Sequence, residues 1–146
     1  MKNHELKLDI RYFDDVKSGK KNFEIRKNDR DFKVGDILEL KAYVKGLKSF
    51  AKWGEIIDPF NNFRMSHNYM TCAEEEADTI KVRIKWMSRH LDDYNKLLED
   101  AGLSFSSESV GLTLAIESVI NDYFHTNTLP DGYVVLGVDL VKVVEG

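Results

Sequence analysis

From Thr79 to Met87 apolar and cationic side chains alternate without a break: Ile80, Val82, Ile84 and Trp86 against Lys81, Arg83 and Lys85. A period of two sends successive side chains to opposite faces of an extended chain. The segment is therefore expected to be a strand, apolar face on a core and cationic face toward water. Shorter stretches repeat the pattern. Leu6, Leu8 and Ile10 alternate with Lys7 and Asp9, and Phe23 and Ile25 alternate with Asn22, Glu24 and Arg26. Leu38, Leu40, Ala42 and Val44 share one face of a strand expected over 37–44. Tyr133 to Val144 is nearly continuously apolar, as a strand buried on both faces would be.

Helical periodicity fills three other places. A short helix is expected from about Asp9 or Arg11 to Ser18, with Phe13 and Val16 inward and Gly19 as its cap. Leu91, Tyr94, Leu97, Leu98 and Ala101 recur at helical spacing up to Gly102. Ser106 or Ser107 is a suitable cap for a last helix. Its inward stripe would be Leu112, Ala115, Ile116, Val119, Ile120 and Phe124, and Gly111 lowers its stability. Pro130-Asp131-Gly132 reads as a turn. Residues 45–77 show no clear period. They hold Phe50, Trp53, Phe60, Phe63, Tyr69 and the acidic run Glu74-Glu75-Glu76, and read as an insertion or long functional loop.

The chemistry concentrates between the first helix and the 37–44 strand. Lys17, Lys20, Lys21, Arg26, Lys27, Arg30 and Lys33 face only Glu24, Asp29 and Asp31, in a chain whose formal charge is −4. A cationic island on an acidic protein points to a focused anionic partner rather than to indiscriminate coating of nucleic acid. The length of 146 residues suits one domain, with a core large enough to need no staples. The lone Cys72 excludes an internal disulfide and fits a cytoplasmic protein. No apolar run reaches the roughly 20 residues of a membrane helix, and the N-terminus lacks the pattern of a targeting peptide. His4, His67, His90 and His125 are too dispersed to suggest a metal site, and no cofactor fingerprint is present.

The residues support three readings. For binding, Lys20, Lys21, Arg26, Lys27 and Arg30 supply donors for phosphate. Glu24 accepts, as from the amine of a base, and Asn28 offers both kinds of group. Phe32, Tyr43 or a loop aromatic would stack on a base. In structural terms, Glu24 and Arg26 would pair with each other across the strand face or with the 28–31 loop, fixing that loop rather than a ligand. For catalysis, Glu24 would serve as general base and Lys21 as oxyanion partner or acid, provided the chain turns at Gly19. For protein interaction, the aromatic segment 45–77 and the helical segment 91–131 would form a surface for a partner or a second copy.

The first third of the chain also resembles a known family. Tyr12-Phe13, the stretch from Gly19 to Phe32 and Val34-Gly35-Asp36-Ile37-Leu38 are similar to ASCH domains of the PUA-like superfamily, nearest to a bacterial and phage subgroup of unknown function. The Gly-x-Lys-x-x-Glu-x-Arg signature falls on Gly19, Lys21, Glu24 and Arg26. The closing Gly132 to Val138 is similar to the subgroup's last strand. The resemblance implies an α+β fold, a mostly antiparallel β-barrel with flanking helices, here with insertions at about 45–77 and 91–131. It implies recognition of RNA or a modified nucleoside near the signature. Some members are amidohydrolases acting on acetylated cytidine through a lysine, a threonine and a glutamate, and others have been proposed as ribonucleases. The lysine position falls on Lys21. The threonine position falls on Glu24, which removes the family's nucleophile. The expectation is thus an RNA- or nucleotide-binding module, with a metal-independent hydrolase as the alternative.

Overall fold

The computed structural model describes residues 1–57 and 64–141. Seven strands and three helices are present among them: β1 (Asn3–Asp9), α1 (Ile10–Lys17), β2 (Phe23–Lys27), β3 (Ile37–Val44), β4 (Ser49–Ile57), β5 (Arg64–Cys72), β6 (Thr79–Ser88), α2 (Tyr94–Ala101), α3 (Ser107–Phe124) and β7 (Tyr133–Leu140). The fold is α+β with a mostly antiparallel sheet, as expected. Strand pairing follows the open order β2-β7-β6-β3-β4-β5, with β1 on β3. It is a path rather than a closed ring. The chain divides into two compact units, one of residues 1–2, 22–37 and 82–146, the other of 3–21 and 38–81.

In the first unit, β2 pairs antiparallel with β7 in a register that sets Phe23 opposite Gly137, Glu24 opposite Leu136 and Arg26 opposite Val134. Directly opposed residues share a face. One face carries Phe23, Ile25 and Val135 into a core with Leu97, Ile116 and Ile120 of the two helices. The other carries Glu24 and Arg26 among Val134, Leu136 and Val138, all three buried. β2 is thus covered on both sides, although its sequence alternates.

The pairing of β6 with β7 shifts between Ile84 and Trp86, where Lys85 is the extra residue of a bulge. Ile84 lies opposite Val138 but Trp86 lies opposite Gly137, so the two side chains leave the sheet on opposite faces. The unbroken alternation had implied one shared face, and the bulge corrects it. Trp86 instead packs with Phe23 and the helices. The cations of β6 are not a single array either: Lys81 pairs with Glu39 at 3.5 Å and Lys85 with Asp139 at 3.1 Å.

The helices follow their caps. Gly102 closes α2 in the left-handed region at φ +67°, which its missing Cβ permits. Ser106 caps α3, and Ser109 reciprocates with a hydrogen bond from the Ser106 N–H at 2.8 Å. Ile116 and Ile120 are buried and Leu112, Val119 and Phe124 join the core, but Ala115 is exposed and does not belong to the inward stripe.

In the second unit, residues 49–72 correct the long-loop expectation. β4 and β5 form an antiparallel hairpin, with Phe50 opposite Cys72 and Trp53 opposite Tyr69. Apolar and polar residues do not alternate along either strand, so no period-two signal survives in the sequence. Of the expected aromatic patch, Phe50 meets Tyr43 edge-on and Trp53 meets Tyr69 at 5.0 Å. Phe60 and Phe63 lie outside the described residues. Asp9 caps α1, accepting from the Arg11 N–H, and Gly19 turns the chain at φ +81°.

Candidate functional site

The expected site residues divide between the units. Glu24, Arg26, Lys27, Asn28 and Arg30 belong to the first, Lys20 and Lys21 to the second.

Glu24 is only 3% exposed, on a strand face lined by apolar side chains of β7. A buried carboxylate needs compensation. Arg26, two residues on and on the same face, provides it: Nε donates to Oε2 at 3.1 Å and Nη2 lies 3.0 Å from that same oxygen. The guanidinium is partly exposed, so the pair runs from a buried acceptor to a donor within reach of solvent. The expected pairing of the two side chains is therefore present, but on a buried face rather than an open one.

β2 leads into a loop that is built rather than slack. The Asn28 N–H donates to the Gly132 carbonyl at 2.8 Å, and Asn28 Oδ1 accepts from the Phe32 N–H at 3.2 Å. Phe32 is buried, so it anchors the loop and is not an exposed stacking platform. Asp31 adopts φ +52°, a conformation short polar residues tolerate. At the far end the buried Asp36 carboxylate accepts from the N–H groups of Lys2 and Lys33 at 3.0 and 3.1 Å. Lys27 and Arg30 are exposed on this scaffold, and Asn28 is half-buried. Lys33 pairs with Asp31 at 3.6 Å in solvent, a contact worth little.

In the second unit, Lys20 is exposed and Lys21 is held by the turn after α1, its N–H donating to the Asp15 carbonyl at 2.9 Å. Lys21 Nζ lies 5.3 Å from the centroid of the Tyr12 ring, and the Arg11 guanidinium lies 5.5 Å from it. Arg11 is anchored by Asp9 at 3.0 Å. Two cations over one ring form a cation–π cluster. Sequence reasoning had Tyr12 only as part of a family resemblance. Its spacing of nine from Lys21 gives no local signal, because the intervening turn brings them together.

Among the described residues no group of three His, Cys, Asp or Glu side chains is placed to hold a metal ion. Cys72 is half-buried, and burial, with Glu76 nearby, raises its thiol above the ordinary value, so it does not have the character of an activated nucleophile. No described helix is long and apolar enough to cross a membrane.

A family model described as a domain of unknown function, DUF3850, matches residues 3–58. The uncharacterized 12.9 kDa protein in the GpA 3′ region of Escherichia phage P2 is 50% identical over 46 residues, which cover 32% of this chain and 42% of that protein. The chain thus spans about two fifths of the length of the curated relative it matches. Two solved structures are similar at low identity. The crystal structure of hypothetical protein PH0355 is 19% identical with a TM-score of 0.41, covering 97% of this chain and 100% of that one. The solution structure of protein PF0455 from Pyrococcus furiosus is 16% identical with a TM-score of 0.41, covering 97% and 99%.

Proposed function

We propose that this chain is an RNA- or nucleotide-binding module of the ASCH/PUA-like kind, with its recognition residues on β2 and the loop that follows. The observation that carries the reading is the Glu24–Arg26 pair. It sets a guanidinium donor within reach of solvent, held by a buried carboxylate two positions back on the same strand face. Such a fixed donor suits an acceptor on a base edge or a phosphate. Lys27 and Arg30 stand exposed just beyond, on a loop fixed by Asn28, Phe32 and Asp36, and are suited to phosphate. In the second unit, taken by itself, Lys20 is exposed and Lys21 lies beside the Tyr12 ring. Preorganised donors bind with less ordering cost than slack ones.

The burial of Glu24 and its engagement by Arg26 favour recognition over service as a general base. The test is binding of a labelled short single-stranded RNA pool across a salt series, with acetylated cytidine incubated in parallel. Four phosphate contacts give a log–log slope near roughly −3, at about −0.7 each. Lys27→Ala/Arg30→Ala, both exposed, should flatten that slope by about half on the same per-contact reckoning. Absence of binding at low salt sinks the module reading. Release of acetate, lost in Lys21→Ala, replaces it with the hydrolase.

A further inference from the structure

The segment 91–131 differs in charge from the rest of the chain. It holds eight Asp or Glu residues and one cation, Lys96, a formal −7 in a chain that totals −4. It also exposes large apolar side chains. Phe105 is 77% exposed and Leu114 59%, with Leu103 and Val110 exposed beside them in the sequence.

These side chains are positioned, not merely left over. The α2 cap turns the chain so that the Leu103 N–H returns to the Leu98 carbonyl at 2.9 Å. Phe105 stands edge-on to Tyr94 at 6.0 Å, and the Tyr94 hydroxyl is hydrogen-bonded to Ser109 Oγ at 2.8 Å. Ser109 is buried and forms half of the capping box of α3. The exposed ring is thus tied to the start of the helix. Val110 and Leu114 are four apart and lie on one face of α3. Gly111 follows on the same side, and a Cβ there would meet nothing within 4 Å. Its conformation requires no glycine and nothing packs against it, yet glycine inside a helix lowers stability relative to alanine. An open, low floor beside an apolar ridge is what a second helix needs for close approach. At 3.6 residues per turn, Glu117 continues the row of Val110 and Leu114, and Glu108 and Asp122 lie on the far side of Gly111.

We infer that this face of the α2–α3 hairpin docks a cationic amphipathic helix of a protein partner. Apolar residues of the partner would cover Phe105, Val110 and Leu114, and its Lys or Arg residues would meet the carboxylates at the edges. The charge decides between occupants. A second copy would bring acidic edge against acidic edge, and nucleic acid or an anionic membrane would be repelled. This surface is separate from the β2 site and does not rest on its assignment.

The test uses the full chain and a labelled helical peptide of about 20 residues, long enough to form a helix on binding, with Leu on one face and Lys on the other. Two control peptides have the same composition scrambled to remove the apolar face, or Glu in place of Lys. Saturable binding of the first peptide alone supports the inference. So does a loss of about tenfold or more in Phe105→Ser/Leu114→Asp, a central-anchor effect, with helix content unchanged. Glu108→Lys/Glu117→Lys should also weaken binding and reduce its salt dependence. Equal binding of the scrambled peptide overturns the inference, as does binding unaffected by either variant. Sedimentation showing a dimer that Leu114→Asp dissociates, without peptide binding, assigns the face to a second copy and overturns it equally.

Discussion

Two nitrogens of Arg26 meet the Oε2 atom of Glu24, Nε at 3.1 Å and Nη2 at 3.0 Å. Their i, i+2 spacing on β2 makes this possible, since both leave the same face of the strand. The carboxylate is buried among apolar residues of β7 while the guanidinium is partly exposed. The pair is therefore structural at one end and accessible at the other.

Removing one partner and removing both should have different consequences. Arg26→Ala removes the guanidinium from a buried carboxylate and is expected to destabilise by about 3 kcal/mol. Glu24→Leu/Arg26→Met replaces the pair with apolar residues of similar volume and should return stability to within about 1 kcal/mol of the native chain. RNA affinity should be lost in the double variant regardless. Urea midpoints and the binding assay, read on the same three proteins, separate the two roles. A double variant that binds normally would remove the pair from the recognition site.

Gly137 is occupied from outside by Trp86. A Cβ at Gly137 would overlap Cε2 and Nε1 of the indole, although the backbone there is ordinary for any residue. Gly137→Ala must push the ring out of the core it shares with Phe23 and the helices. The expected cost is about 1–3 kcal/mol, the range for overpacking. Tryptophan emission should shift to the red, and because Trp53 is already half exposed the change reports Trp86. Unchanged emission and stability would show that the indole has room to move.

This contact also marks where the sequence was readable and where it was not. Alternation found β1, β2, β3 and β6, and helical spacing found α1, α2 and α3, because a period of two or of 3.6 survives in each of these segments, and an apolar run found β7. The bulge at Lys85 leaves no compositional mark, so Trp86 was expected on the face of Ile84. The β4–β5 hairpin was unreadable because polar and aromatic residues occur on both of its faces. At the candidate site, the charges and their strand were legible, but the burial of Glu24 was not. An acid and a base two apart on a strand look like a solvated face, and only the apolar β7 beside them reveals otherwise.

Ser106 and Ser109 satisfy each other's backbone at the start of α3, and Ser109 also bonds Tyr94. Ser106→Ala should cost about 1 kcal/mol, as for other N-caps. Ser109→Ala loses the buried hydroxyl's bonds to Tyr94 and the cap together and should cost more, about 2 kcal/mol. If Phe105 depends on this arrangement, Ser109→Ala should weaken docking of the cationic helix without touching the surface. Thermal melts with the peptide titration check both parts. Equal effects of the two alanines would reduce Ser109 to an ordinary cap.

Alkaline pH provides a test confined to the second unit. Burial raises the Tyr69 phenol above its ordinary value of 10.0, and its hydrogen bond to Asp14 at 2.8 Å raises it further. The folded chain then holds a proton that the unfolded chain releases. Below pH about 10 both states are protonated and the contribution to stability is whole. As pH rises past the unfolded value, the unfolded state binds fewer protons than the folded one, so stability falls until the folded group also ionises. Tyr69→Phe should lower stability at neutral pH by about 1 kcal/mol for the lost hydrogen bond, and should flatten the decline above pH 10. Urea midpoints across that range, with phenolate absorbance to follow ionisation, measure both. An equally steep decline in Tyr69→Phe would assign the alkaline sensitivity to other groups and leave the Tyr69–Asp14 bond without a role in it.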